Sequence, residues 1–325
     1  MRVAILGAGE IAKMMARTLR GMKANGEDVE LYAVGSRSQD KADAFAHKEG
    51  VLKAFGSYED MLKDDGVDLV YVATPHSHHA EHMKLCIEHG KAILCEKAFT
   101  GNARQAEEVL NLAEQKKIPL TEAIWTRYQP ARKIMDDVIL SGEIGEVKLV
   151  SSTLSYGIRD HERIYDPALA GGALLDLGVY VINFASMILG TDVIRRESSV
   201  QLLDTGVDAQ ETMTLFYPNE AMANLCASTM ANGNRVCIVQ GTKGYFTVDN
   251  VNNPLKITVH RENGEERLLP VPEQITGYEY EVRACQRMLK EGKLECEEMP
   301  HAETLRIMKM MDSFRADWGV RYPFD

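Results

Sequence analysis

The chain lacks any Cys-x-x-Cys pair. Its six cysteines, Cys86, Cys95, Cys226, Cys237, Cys285 and Cys296, are scattered through 325 residues. A chain this long needs no disulfide framework, so reduced, buried thiols and a cytoplasmic setting are expected. It also lacks an excess of positive charge. Lys and Arg total 37 against 48 Asp and Glu, for a net charge of -11. With a sequence pI near 5.4 and no basic patch, a nucleic-acid partner is not expected. No charged-then-apolar leader precedes the first strand pattern, so no targeting segment is expected. The longest apolar stretch, Ala173 to Leu189, is broken by Asp176 and Asn183. It reads as a buried helix rather than a membrane span. Repeats and low-complexity segments are absent too. What is left has the composition of a globular protein, 26% charged and 45% hydrophobic, long enough for two domains.

The most informative feature present is at the start. Val3-Ala4-Ile5-Leu6 runs into Gly7-Ala8-Gly9-Glu10-Ile11-Ala12 and then a helical pattern. A short apolar strand, a glycine turn and a helix N-terminus bring backbone N–H groups to a pyrophosphate. Gly7 permits the tight turn, Gly9 has no Cβ to block phosphates, and Ala12 is small enough for helix–strand packing. The string alone is weak, but it stands in the strand–turn–helix context the chemistry requires.

Strand patterns near Val3–Leu6, Glu30–Val34, Leu69–Ala73, Ala92–Cys95 and Leu120–Ile124 alternate with helical ones near Ile11–Met22, Gln39–Lys48, Tyr58–Leu62, His79–His89 and Ala103–Lys116. That rhythm predicts a parallel sheet covered on both faces, over residues 1–122. From 123 to 325 the rhythm changes. A helix near Pro130–Leu140, a strand near Val147–Tyr156 and an apolar helix near Leu174–Leu189 come first. Strands near Thr212–Tyr217, Met222–Ser228, Arg235–Gln240, Gly244–Val248 and Leu255–His260 follow, separated by turn signals. This predicts an α+β domain with a large open, mainly antiparallel sheet. One helix cannot cover so many strands, so a homodimer through the open sheet is expected. Helices near Tyr278–Lys290 and Ala302–Asp317 close the chain, and the sequence leaves open whether they pack back on the first domain.

Ligands of open α/β sheets bind beyond the carboxyl ends of the strands. The second strand ends Ser36-Arg37-Ser38, with no carboxylate to hold a ribose 2′-hydroxyl. Ser36 and the planar fork of Arg37 suit a 2′-phosphate, so NADP is expected, with NAD the alternative. The strand near Leu69–Ala73 leads to Thr74-Pro75-His76 with His78 and His79, that near Ala92–Cys95 to Glu96-Lys97, and that near Leu120–Ile124 to Trp125-Thr126-Arg127-Tyr128. The histidine spacing is not that of a metal site, and no metal is expected. Lys97 can reach a nicotinamide and a substrate hydroxyl, with Glu96 to orient it. Gly171-Gly172 opens a stretch in which Asp176 and Tyr180 lie four apart on one helix face. A buried carboxylate at Asp176 requires a partner, either structural or a substrate. The stretch Gly157–Ala170 offers Arg159, Asp160, His161, Arg163 and Tyr165 as further pocket groups.

These motifs in this order resemble the glucose-fructose oxidoreductase / inositol dehydrogenase (Gfo/Idh/MocA) family. The matching residues are Gly7 through Ala12, Thr74-Pro75 with His79, Gly90-Lys91 leading to Cys95-Glu96-Lys97, and Gly171-Gly172 through Asp176 to Tyr180. Two positions depart from the pattern. Ala98 replaces the proline of Glu-Lys-Pro, and Tyr180 stands where a histidine is frequent. Tyr180, Ser36-Arg37-Ser38 and Trp125-Thr126-Arg127 resemble the subgroup of dimeric dihydrodiol dehydrogenases and NADP-linked D-xylose dehydrogenases. The resemblance implies an α/β Rossmann dinucleotide-binding domain joined to an α+β substrate domain. It implies an NADP-dependent dehydrogenase acting on CH–OH groups of a sugar, polyol or vicinal diol.

The implied catalytic set is Lys97, Asp176 and Tyr180. Tyr180 takes the hydroxyl proton, Lys97 favours its phenolate, and Asp176 holds a neighbouring substrate hydroxyl. Cofactor contacts are implied for Gly7, Ala8, Gly9, Glu10, Ile11, Ser36, Arg37, Thr74, Pro75, His79, Glu96 and Lys97. Substrate contacts are implied for Trp125, Arg127, Tyr128 and Asp176, with a structural role for Arg127 equally open. A dinucleotide-sensing regulator and an NAD-assisted glycosidase on the same fold are the alternatives.

Overall fold

The computed structural model describes residues 1–325, which divide into two compact units. The first comprises Met1–Ile124 with Gln274–Met308; the second comprises Trp125–Glu273 with Lys309–Asp325. The stretch from 274 to 308 is thus part of the first unit, and the second is not the continuous stretch 123–325.

The first unit is built on six parallel strands: β1 (Arg2–Leu6), β2 (Glu30–Gly35), β3 (Lys53–Phe55), β4 (Leu69–Val72), β5 (Ala92–Glu96) and β6 (Leu120–Ala123). Their order in the sheet is β3-β2-β1-β4-β5-β6. The direction of winding reverses between β1 and β4, and this is where open α/β sheets bind ligands. Strands β4 and β5 are buried along their whole length, which is why they read as unbroken apolar runs.

Helix α1 (Glu10–Ala24) buries Ala12, Met15, Ala16, Leu19 and Met22, a stripe at helical spacing. Side-chain caps begin α2 (Gln39–Glu49) at Ser38, α3 (Tyr58–Leu62) at Ser57 and α5 (Ala103–Lys116) at Asn102. Between the last two, α4 spans His76–Glu88, beginning one residue after Pro75. Helix α6 (Pro130–Leu140) lies in the second unit, with α7 (Glu162–Tyr165), α8 (Val179–Leu189) and, at its two ends of the chain, strands and helix described next.

Helix α9 (Glu279–Glu291) belongs to the first unit, and α10 (His301–Trp318) runs from the first into the second. Leu120 donates its N–H to the Leu294 carbonyl at 2.9 Å, and the His301 ring meets the Leu120 carbonyl at 2.7 Å. Arg283 grips Glu27 through two bonds, and Glu279 accepts three backbone N–H bonds from Ile275, Thr276 and Gly277.

The second unit holds an eight-stranded sheet in the order β14-β13-β12-β11-β7-β10-β9-β8. Its strands are β7 (Val147–Ser155), β8 (Arg195–Leu202), β9 (Asp208–Phe216), β10 (Met222–Ser228), β11 (Cys237–Gly241), β12 (Gly244–Val248), β13 (Lys256–Arg261) and β14 (Glu266–Pro270). All neighbours run antiparallel except β7 and β10. Alternate residues of β9, Glu211, Met213 and Leu215, are buried, whereas Thr212 is exposed and Thr214 and Phe216 are half-buried. The apolar segment Pro167–Leu189 has the length and hydropathy of a membrane span, but 89% of its 18-residue apolar window is buried inside the protein.

Two strands of this sheet lie outside the expected patterns, β8 and β14, both at its edges, as does β3 in the first unit. The helix expected over Leu174–Leu189 is also not uniform. Leu174–Gly178 is a π-wound turn, and the α-helix proper begins at Val179.

Candidate active site

The nucleotide side is built from the strand ends of the first unit. Gly7 donates its N–H to the Gly35 carbonyl at 2.9 Å and sits at φ +111°. A Cβ there would lie 2.9 Å from the Ala73 carbonyl oxygen, so both conformation and close approach require glycine. At Gly9 a Cβ would meet no protein atom within 4 Å. The space beside the N-terminus of α1 is open, and no side chain caps its first N–H groups. A dinucleotide pyrophosphate fits such a cradle. The Ala8 to Ile11 segment forms its rim, and the Glu10 side chain turns to solvent and pairs with Lys13 at 2.5 Å.

At the tip of β2, Ser36 is buried and donates its N–H to the Phe55 carbonyl at 3.0 Å, while Arg37 stands exposed. Tyr58 and His82 pack edge to face 4.8 Å apart, and the Arg37 charge acts on both. Burial pushes the His82 pKa down to about 4. Its Nδ1 meets the Thr74 hydroxyl at 2.9 Å, which fixes the turn after β4. His82 and Tyr58 were not anticipated. Tyr58 opens α3 and His82 lies in the middle of α4, and neither has a motif to mark it.

His79 is fully buried, and both ring nitrogens face backbone carbonyls: Nδ1 that of Ala98 at 2.9 Å, Nε2 that of Thr74 at 2.7 Å. It ties the turn after β4 to the turn after β5 and presents no nitrogen to a ligand. Burial holds the ring neutral, with its pKa pushed down to about 4; the carbonyls pull the other way. The neutral ring therefore donates to one carbonyl at a time.

In the unfolded chain this histidine takes a proton below about pH 6.5, whereas the folded chain resists until about 4. Its stabilisation is complete above pH 6.5 and is lost as pH falls toward 4, by about 3 kcal/mol. The stability difference between wild type and His79→Asn, read by urea unfolding, should shrink by about that amount between pH 7 and 4. A difference that stays constant with pH would contradict the neutral buried ring.

Beyond β5, Glu96 is buried and accepts the Tyr71 hydroxyl hydrogen bond through Oε1 and the Lys97 N–H through Oε2, the latter at 3.2 Å. The carboxylate thereby fixes the backbone from which Lys97 projects. The Lys97–Ala98 peptide, where Ala98 replaces the family proline, is cis.

The second unit carries the other candidates. Gly171-Gly172 turns the chain into the π-wound segment, with Gly172 at φ +112°. The Tyr322 hydroxyl donates to the Gly171 carbonyl at 2.7 Å. Asp176 in that segment is 4% exposed, and the partner its burial demands is Arg163 of α7, 2.7 Å away. Tyr180, in the first turn of α8, is 6% exposed. Trp125, Arg127 and Tyr128 are buried in and beside a 3-10 turn. Arg127 donates to Asn183 Oδ1 at 2.5 Å and to Ser186 Oγ at 3.2 Å, one turn beyond Tyr180. Its guanidinium fastens the 3-10 turn to α8 by these hydrogen bonds.

No group of three or more His, Cys, Asp or Glu side chains is arranged to hold a metal ion. The nucleotide side instead offers a phosphate cradle and an exposed guanidinium, and the substrate-side candidates are a carboxylate, a phenol and aromatic rings.

Comparison with known proteins agrees with this chemistry. Residues 1–123 match a family model described as an oxidoreductase family with an NAD-binding Rossmann fold, and residues 132–247 match the GFO/IDH/MocA C-terminal domain. The trans-1,2-dihydrobenzene-1,2-diol dehydrogenase of Mus musculus is 32% identical over all of this chain and 99% of its own length. The NADP(+)-linked D-xylose 1-dehydrogenase of Hypocrea jecorina is 34% identical over 98% of this chain and 92% of its own. Among solved structures, a 3-ketoreductase from Actinomadura kijaniata in complex with NADP and TDP-benzene superposes with a TM-score of 0.86 at 26% identity, covering 97% of each chain.

Proposed function

The chain belongs to the Gfo/Idh/MocA oxidoreductase family, and on that premise we propose that it is an NADP-dependent dehydrogenase oxidising a CH–OH group of a sugar, polyol or vicinal diol. The observation that carries the cofactor choice is the tip of β2, where exposed Arg37 stands and no carboxylate does. The names of the two relatives support the substrate class.

When bound, the nicotinamide supplies a hydride acceptor. The chain's own residues handle the proton and the alignment. Tyr180 takes the proton of the reacting hydroxyl and returns it in the reverse direction. A free phenol titrates near pH 10, so the Lys97 ammonium is needed to favour the phenolate at neutral pH. Asp176, held by Arg163, accepts a hydrogen bond from a neighbouring substrate hydroxyl. Trp125 and Tyr128 shape the sugar or diol pocket, and Arg127 supports them through α8. Gly7, Ala8, Gly9, Glu10 and Ile11 would hold the pyrophosphate. Ser36 and Arg37 would take the 2′-phosphate, and Thr74, Pro75 and Glu96, with His79 behind them, would frame the nicotinamide end near Lys97.

The protein acts in the cytoplasm as a homodimer. Support for the dimer is the outer face of the eight-stranded sheet, where Leu149, Phe216, Ile238 and Tyr245 are only partly covered or exposed. Sedimentation should give twice the 36.3 kDa chain mass; a monomer would count against this pairing.

Fluorescence titration tests the cofactor assignment. NADPH should bind at least about tenfold more tightly than NADH, roughly 1.4 kcal/mol. Arg37→Ala should remove most of that preference while leaving NADH binding as it was. Equal or tighter binding of NADH would overturn the NADP assignment.

A further inference from the structure

Beneath the turn that carries Asp176 lie two carboxyl groups that the proposed chemistry does not use, Asp208 and Glu211 of β9. Asp208 is fully buried, and its Oδ2 accepts the Leu174 N–H at 2.5 Å. Its Oδ1 occupies the space a Cβ on Gly172 would need, at 2.3 Å. Asp208 therefore anchors the start of the π-wound turn through Oδ2, while its Oδ1 is left without a partner.

Glu211 is different. It is 2% exposed, and neither carboxyl oxygen has a hydrogen-bond partner. Its Oε1 lies 3.0 Å from where a Cβ on Gly178 would stand, so the carboxyl rests against the backbone at the end of the π-wound turn. Gly178 sits between Asp176 and Tyr180 in sequence. An apolar side chain of similar size would fill this space without the cost of burying an unpaired polar group. A π turn shifts backbone carbonyls off the regular helical ladder, and such turns gather at functional sites.

We propose that Glu211 is a positioning residue: its side chain, packed against Gly178, holds the π-wound turn Leu174–Gly178 and so sets Asp176 relative to Tyr180. This rests on the roles given above to those two residues. The groups facing it are Asp208 on its own strand and Cys226 on β10. Arg315 and Tyr322 lie beyond, where they act on Asp208. Burial first, then Asp208 and Cys226, push the Glu211 pKa well above the carboxyl range.

Two variants separate the carboxyl group from the volume it fills. Glu211→Gln keeps the length and shape that reach Gly178, and should keep kcat within about twofold of wild type. Glu211→Leu branches at Cγ and ends short of the carboxyl oxygens, so it loses the contact with Gly178, and should lower kcat about 10- to 100-fold, with KM changing less than threefold or so and NADPH affinity unchanged. A leucine variant as fast as wild type, or a glutamine variant as slow as the leucine one, would overturn the proposal. A second readout needs no turnover. Amide hydrogen exchange across Leu174–Tyr180 should quicken in Glu211→Leu and not in Glu211→Gln. Equal protection in all three proteins would overturn the positioning role even if the chemistry assigned to Asp176 and Tyr180 stood. If wild type turns over no sugar or diol, the dehydrogenase reading fails, and the exchange experiment still decides whether Glu211 holds the turn.

Discussion

Tyr180→Phe is expected to lower kcat by about 10²–10⁴-fold, because it removes the proposed acid/base group and little else. Tyr180 is buried in the first turn of α8. Phenylalanine keeps the ring and its packing, so the fold and NADPH affinity should be retained. The loss should fall on kcat and kcat/KM alike, the pattern of an interaction made in the transition state. Steady-state kinetics would show the loss, and near-wild-type turnover would remove Tyr180 from the mechanism.

Lys97→Met is expected to lower kcat by about 10²–10³-fold, the usual size for loss of one preorganised charge. The methionine keeps the stem, so packing around the turn is preserved. The backbone there is set independently: Glu96 accepts the Lys97 N–H, and Tyr71 donates to Glu96. Lys97→Arg keeps the charge but presents a planar fork in place of a compact ammonium, and should recover only part of the rate. If Lys97 acts by favouring the Tyr180 phenolate, the double variant Lys97→Met/Tyr180→Phe should be scarcely slower than Tyr180→Phe alone. Fully multiplicative losses would separate the two residues.

The nucleotide half was legible because its physics is local. Val3–Leu6 and Leu69–Val72 are buried parallel strands that must be apolar throughout, and Ser38, Ser57 and Asn102 mark helix starts by capping them. Strand β3 escaped notice because three residues beginning with a lysine carry no periodicity. Strand β8 holds two arginines and a glutamate; it is a strand because β9 offers it a paired edge, and its charges suit an edge.

In the candidate site, residue types were readable but partners were not. Burial of Asp176 demanded a counter-charge, yet only the folded chain shows that Arg163 supplies it. Spacing of four placed Asp176 and Tyr180 together whether the turn is α- or π-wound, so the π turn left no trace in the sequence. The placement of Gln274–Met308 depends on distant contacts, such as Thr18 with Thr276 at 2.6 Å and Leu120 with Leu294, which no local pattern encodes.

The most direct test of the central claim is an assay of NADPH formation by the purified protein with NADP+ and a panel of pentoses, hexoses, polyols and trans-vicinal diols, each deuterated at the oxidisable carbon. The account predicts turnover with at least one of them, with the deuterium recovered in NADPH. Tight NADPH binding with no turnover across the panel, or product released without net NADPH, would contradict it.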